Sequence, residues 1–322
     1  MKKIFLVLAL NISFLSVAQE MTTADALRYA IDNMNGTARF RGMSGAFGAV
    51  GGDLSAININ PAGSLFFNNN FASATVTSFN NSNNSNYFGS KYKENFSTID
   101  LNQIGAVLVF NSTAENSDWN KISVGLNYDN TNNFDNRIFV AGRNPFNSIS
   151  QYFVDQANFI ADTPFNDYQY DMGFETYIIN PSESDPNVFV SNVSPGGNYY
   201  QDFFATANGY NGKLTANVAT SYKNKLFLGI NLNAHFTDYI TTSRLYEFNG
   251  NPENPNTQPT VREIVFDNQL STYGSGFSFN LGAIYKFNES LRVGASYESP
   301  TWYRLNDELI QDLYTYGNIN VP

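Results

Sequence analysis

The fold turns on one stretch, Leu226-Phe227-Leu228-Gly229-Ile230-Asn231-Leu232-Asn233-Ala234-His235-Phe236-Thr237. Leu226, Leu228, Ile230, Leu232, Ala234 and Phe236 alternate with Gly229, Asn231, Asn233, His235 and Thr237. Successive side chains of an extended chain point to opposite sides, so a period of two makes a strand with one oily and one polar face. The pattern recurs around 122–129 and in 213–222, 276–287 and 291–298. Each run has about the 9–11 residues that a tilted strand needs to cross a bilayer. The links Tyr222-Lys223-Asn224-Lys225 and Phe287-Asn288-Glu289-Ser290 are short, whereas 141–210 is long and rich in Asn, Asp, Pro, Tyr and Phe. Short turns at one end and long loops at the other suit an outer-membrane barrel, and Tyr222, Phe227, Tyr239, Tyr285 and Phe287 suit its aromatic girdles. A secreted β-sandwich also alternates. The long aromatic-bearing apolar faces, set against faces carrying Lys, Arg, Asp and Glu beside Asn and Gly, favour the barrel and a wet lumen.

Composition agrees and excludes much else. The 322 residues are 16% aromatic, only 14% charged, and rich in asparagine. Mean hydropathy is -0.30. The longest apolar run after residue 19 is Ile104–Phe110, far short of a transmembrane helix. With no Cys, a disulfide scaffold, thiolate zinc and thiol catalysis are excluded. A net charge of -10 argues against nucleic acid, which needs a basic footprint.

Met1-Lys2-Lys3, an apolar run to about Leu15, and Ser16-Val17-Ala18 have the form of a secretory signal over residues 1–18. Export without Cys suggests the envelope of a Gram-negative cell, with the outer membrane as destination. Residues 22–34 have helical spacing, with Leu27, Ile31 and Met34 on one stripe and Gly36 as a stop. A small-residue stretch from Gly42 to Asp53 follows and ends in Asn60-Pro61-Ala62-Gly63, a segment suited to close backbone approach and tight turns.

Gly36 to Ala56, with Gly42, Gly45, Gly48 and Gly51 leading to Asn60-Pro61-Ala62-Gly63, resembles the N-terminal region of the FadL/TodX family of outer-membrane transporters for long-chain fatty acids and other hydrophobic compounds. The runs 276–287 and 291–300 are similar to consecutive barrel strands of that family, in the Asn-rich style of its Bacteroidetes versions. The resemblance covers roughly 20–68 and 210–305 well. It implies an all-β transmembrane antiparallel β-barrel of fourteen strands, closed by an N-terminal hatch containing a short helix. Residues 19–68 would then be the hatch, 69–322 the barrel, and 141–210 a long extracellular loop. It further implies capture of substrate by outer loops, transfer to an inner pocket, and sideways release through the wall. About eight strand candidates are legible: 70–80, 98–111, 119–130, 134–140, 210–222, 225–246, 261–287 and 290–304. An eight-stranded barrel is filled by its own side chains and has no room for a hatch. The chain is therefore expected to be a piece of a longer barrel.

Candidate ligand contacts are Phe146, Ile149 and Phe153 on a helical stripe in 145–160, and Phe40 and Phe47 in the hatch. Arg39 and Arg41 would pair with Asp53, Asp129 or Glu298. His235, the one histidine, is expected to face the lumen beside Asn231 and Asn233 without a catalytic role, since no Gly-x-Ser-x-Gly accompanies it. The run Gly45-x-x-Gly48-x-x-Gly51 lacks nucleotide-loop spacing. The paired acids in 162–185 look like solvated surface. No enzyme activity, cofactor or metal is expected. The expected partners are hydrophobic small molecules such as fatty acids and outer-membrane lipid, and the expected state is a monomer. The competing expectation is a structural or adhesive surface barrel working through its loops.

Overall fold

A computed structural model of the protein describes residues 27–29, 31, 33–113, 117–160, 167–253 and 260–318. The chain divides into residues 1–33 and 34–322. In the first unit Leu27, Arg28 and Tyr29 are helical, and the Ile31 amide donates to the Leu27 carbonyl at 3.2 Å. The signal read over 1–18 and the start of the helix read over 22–34 lie outside the described residues.

The second unit is built on a nine-stranded antiparallel sheet. In chain order its strands are β1 (Phe71–Tyr87), β2 (Ser90–Asn111), β3 (Trp119–Asn133), β4 (Asn136–Asn144), then β7 (Tyr199–Tyr222), β8 (Leu226–Asn249), β9 (Thr260–Lys286), β10 (Arg292–Glu298) and β11 (Trp302–Asn318). The connection from β4 to β7 holds a second, two-stranded sheet of β5 (Ile179–Pro181) and β6 (Phe189–Ser191). β3 and β4 both pair with β7, and β10 and β11 both pair with β9. Each of these two pairs is thus one span with an interruption. At Ser299-Pro300-Thr301 the cause is Pro300, which has no N–H for the ladder. The Ser299 hydroxyl instead accepts the Phe279 amide at 3.0 Å. Seven spans result, running up and down with β1 at one edge of the sheet and β10–β11 at the other.

The strands reach further than the alternation suggested. β1 continues through Asn80–Asn86, β2 begins at Ser90 rather than 98, β7 begins at Tyr199, and β11 runs to Asn318. The long connection is accordingly 145–198 rather than 141–210. It folds into α2 (Ser150–Ile160) and α3 (Asp167–Glu175), followed by β5 and β6. These elements share a core with the sheet: Phe153, Ala157, Ile178 and Ile179 pack with Ile264 and Phe266 of β9 and Leu313 of β11.

The two faces of the sheet invert the usual rule of burial. On β8, Leu228, Ile230, Leu232, Phe236 and Ile240 are exposed, while Asn231, Asn233, His235 and Thr237 are buried. Register carries the pattern sideways. Ile230 sits beside Val218 and Leu281, and Asn231 beside Asn217 and Asn280. Val124, Val218, Leu281 and Tyr297 are exposed, whereas Asn127, Asn217, Ser278 and Asn280 are buried.

Candidate functional site

Residues 34–67 lie on the polar face and account for its burial. They form α1 (Ala38–Gly42) and two 3-10 turns, Ser55–Asn58 and Pro61–Phe66. The Thr37 side chain caps α1 by accepting the Phe40 amide. Asn60 caps the second 3-10 turn, taking the Ala62 amide at 3.1 Å, and Pro61 fills its first position. Gly51, at φ +65°, touches Gly63, where a Cβ would strike backbone. The motif Asn60-Pro61-Ala62-Gly63 is thus a built turn, and all four of its residues are buried.

The sheet receives this turn in two ways. Gly229, Gly282 and Gly294 leave space: a Cβ on Gly229 would meet Pro61 and Ala62, one on Gly282 would meet Asn60 and Pro61, and one on Gly294 would meet Gly48. Polar side chains then donate to carbonyls of the segment. Asn231 bonds the Ile57 carbonyl at 2.9 Å and Asn217 the Pro61 carbonyl at 3.1 Å. Lys121 bonds that of Phe67, and Arg292 that of Val50 while lying 4.5 Å over the Phe66 ring. In return the Asn60 amide reaches the Gly48, Ala283 and Ala295 carbonyls, and Asn58 donates to Asp129 at 2.7 Å. The Ser64 and Ser123 hydroxyls share a bond at 2.7 Å. Each bond contributes about 1 kcal/mol net. Leu65 with Phe227 and Ile284, and Leu54 and Ile57 with Val107, add apolar contact.

Further up, the same face mixes apolar rows with a polar one, Ala205, Ser243, Asn268 and Gln311. Register places Phe203, Leu245, Phe266 and Leu313 in one row, Ala207, Thr241, Leu270 and Leu309 two rows below it, and Tyr239, Thr272 and Asp307 in the next. The top row lies under the core of the 145–198 connection. The lower rows are left between that layer and residues 34–67. Leu309 is 58% exposed on this face and its neighbour Ile310 is exposed on the other, so β11 presents oil on both sides.

A fork opens elsewhere in the wall. The β2–β3 ladder stops at Gln103–Asp129, and above it β2 pairs only with β1. A bulge opposite Thr75 and Val76 turns both Asn102 and Gln103 inward, and Asn102 accepts the Gly36 amide at 2.6 Å. Past the fork Asn81 donates to the Asp135 carbonyl and Asn83 to the Arg137 carbonyl, replacing ladder bonds with side-chain amides. A pocket of about 500 Å³ lies at the fork, lined by Asp100, Leu101, Tyr128, Asn133, Gly209 and Tyr210 among others.

The residues singled out from sequence fall as follows. Phe40 and Phe47 are buried against each other inside the 34–67 segment. Phe153 is fully buried against Phe266, and Ile149 packs at the edge of the same core. Phe146 alone is open, at 72% exposure beside Phe88. A Cβ added at Gly42 or Gly48 would meet nothing within 4 Å, while Gly45 and Gly51 take positive φ. The expected pairing of Arg39 and Arg41 with acids is corrected. Arg39 bonds the Gly52 carbonyl and lies over Phe47, because Asp53 is already engaged by Thr37 and the Ser55 amide. His235 lies on the expected face with Asn231 and Asn233, bonded to Ser278 at 2.8 Å. Among the described residues no group of three metal-ligating side chains occurs. Leu309 was missed because Ile310 beside it makes both faces of β11 apolar there, and a search for alternation discards such positions.

Glu247, beyond the apolar run of β8, is fully buried under the connection. It accepts the Ile149 amide at 2.8 Å, the Gln201 amide and the Ser148 hydroxyl, and so anchors the start of α2. Desolvation raises its pKa, against the lowering effect of those bonds. A carboxyl whose folded pKa is raised stabilises the fold most below the unfolded value near 4.3, and that contribution is lost as pH rises through the folded pKa. Amides of residues 150–160 should therefore exchange more slowly at pH 5 than at pH 7, after correction for intrinsic rates, and Glu247→Gln should remove the difference.

Comparison with protein-family models, with curated proteins and with solved structures returned no match.

Proposed function

We propose that the protein is a passive outer-membrane transporter for hydrophobic small molecules, the class to which long-chain fatty acids belong, with residues 34–67 as its hatch. One observation carries the reading: the sheet shows large apolar side chains to the outside and buries Asn, Ser, Thr, Lys and His on the inside. A water-facing protein has no use for that arrangement, whereas a barrel wall in lipid requires it. The outward positions 228, 230, 232, 234 and 236 of β8 and 277, 279, 281, 283 and 285 of β9 carry no charge. From Leu226 to Phe236 the uncharged outward run of β8 spans roughly 33 Å along the strand, which at a tilt of about 45° is roughly 23 Å across a bilayer, and the outward Asp238 follows it. Trp119 against Tyr222, and Tyr285 against Phe287, supply aromatics at the short-turn end. A wall in lipid leaves no free strand edge, so the reading requires the edges at β1 and β10–β11 to be paired within the membrane. It also places the protein in the outer membrane of a Gram-negative cell, exported by its N-terminal signal, and agrees with the resemblance to the FadL/TodX family. The fork between β2 and β3 supplies the sideways exit.

The absence of native Cys makes a direct test of the hatch clean. Ser64→Cys with Ser123→Cys would join the segment to the wall, since the two hydroxyl oxygens already touch. In proteoliposomes the oxidised double variant should not take up a radiolabelled long-chain alkane derivative, and reduction should restore uptake. Uptake that ignores the cross-link would remove the hatch from the pathway.

A further inference from the structure

The pocket of about 500 Å³ at the fork has a lining rich in acceptors. Tyr210 shares the outward side with Val218, and Tyr128 and Asn130 register with Leu214 and Gly212 of that same set. Leu101, beyond the bulge, stands exposed beside them. Asn130 is only 5% exposed although it lines the pocket, and its Oδ1 is buried with no hydrogen-bond partner. A buried acceptor left unmade costs free energy, so this oxygen calls for a donor. The neighbouring groups do not supply one. The Asp100 carboxylate accepts the Asn133 side-chain amide, and Asp135 accepts the Gly209 amide at 3.3 Å. The Asn133 oxygen takes the Asp135 amide at 2.8 Å. Among the described residues neither carboxylate forms an ion pair. Arg137, two residues past Asp135, lies 4.8 Å over the Phe96 ring, and Lys213 is buried on the inner side. Two carboxylates and an unpaired amide oxygen are thus set among two tyrosines and a leucine.

We infer that this pocket holds the primary ammonium end of an amphiphile. Asn130, Asp100 and Asp135 are its acceptors, and the alkyl chain lies along the outward apolar band past Leu101, Ile104 and Leu126. The step rests on the reading of that face as lipid-facing, not on passage through the lumen. An ammonium carries three N–H donors, one for each acceptor group. Tyrosine faces attract its charge, and Leu101 covers its first methylenes. A bare metal ion suits the pocket less well. Calcium takes about six to eight oxygen ligands, and among the described residues no three metal-ligating side chains gather. A quaternary ammonium has no N–H to give. A carboxylate head would meet two like charges where little solvent screens them.

The test uses the full chain in an uncharged detergent at pH 7, titrated by calorimetry with hexylammonium. A single saturable site is expected. Hexan-1-ol lacks the charge and hexyltrimethylammonium lacks the N–H donors, and each should bind at least about tenfold less tightly. Methylammonium lacks the tail and should also bind at least about tenfold less tightly. Asn130→Leu and Asp135→Asn should each weaken hexylammonium at least about fivefold, with strand content unchanged by circular dichroism. Asp312→Asn, an exposed outward acid outside the pocket, should leave it as it is. If a variant fails to fold, the ligand series on the unaltered chain decides. Hexyltrimethylammonium binding as well as hexylammonium would mean diffuse attraction to an acidic protein, and methylammonium doing so would mean a site for free amines. Either result overturns the inference, as does hexanol matching hexylammonium, an equal effect of Asp312→Asn, or no saturable binding. None of these outcomes bears on the cross-link test of the hatch, which stands or falls by itself.

Discussion

Leu232→Arg is expected to destabilise the bilayer-inserted protein by about 2–4 kcal/mol, the cost of an arginine near the midplane of a barrel's lipid-facing wall. Leu232 is 51% exposed, level with Ala216 and Phe279 in the middle of the outward apolar band. If that face met water, an exposed leucine replaced by arginine would change stability by no more than about 0.5 kcal/mol. The two environments therefore differ by several-fold in a single measurement, urea unfolding in phosphatidylcholine vesicles. Asp238→Arg supplies the comparison, since Asp238 shares the outward side of β8 at the end of the band, where a charge costs only about 0–1 kcal/mol. Equal costs for the two arginines would mean that hydrocarbon does not touch this face.

Gly282→Val should dislodge the proposed hatch, residues 34–67. Its new side chain would occupy the place of Asn60 and Pro61, and the obstacle includes backbone, which cannot swing aside as a flexible side chain can. Overpacking costs about 1–3 kcal/mol where neighbours can adjust, and here the cheaper response is for the turn to leave. With it would go the Asn60 bonds to Ala283 and Ala295, the Asn217 bond to Pro61, and the Leu65 contact with Phe227. The expected result is a rise in single-channel conductance in planar bilayers with strand content unchanged by circular dichroism. Gly42→Ala, which meets nothing within 4 Å, should leave conductance as it is. A silent Gly282→Val would mean that these glycines are not a seat for the turn.

How much of this was legible depended on whether neighbouring side chains differed in kind. Over 228–237 of β8 and 277–282 of β9 each oily residue is followed by a polar one or Gly, so the strand and the face of these side chains could be read directly. The first half of β1 is similar. Its second half, Asn80-Asn81-Ser82-Asn83-Asn84-Ser85-Asn86, has no alternation and a residue type that strands disfavour. It is extended because it ladders with Ser90–Ser97 of β2, and Asn81 and Asn83 also reach carbonyls at Asp135 and Arg137, some fifty residues away, which local pattern cannot reveal. The break at Pro300 hid the continuation of β10 into β11. In the candidate site, Asn60-Pro61-Ala62-Gly63 stood out as a turn. Its receptors did not, because Gly229, Gly282 and Gly294 sit in a strand's polar set as if they were neutral fillers. The helical stripe in 145–160 was visible, but spacing alone could not say that Phe153 faces a core while Phe146 faces outward.

The union of the β1–β2 hairpin with β3 and β4 beyond Gln103 has a mechanical meaning. Elsewhere the spans are riveted by continuous main-chain pairing, which parts only by cooperative unravelling. Here they are buttoned by Asn81, Asn83 and Asn133, each on a pivoting stem. Buttons can be undone one at a time and refastened after something has slipped between them, so this margin can yield while the rest of the wall keeps its shape.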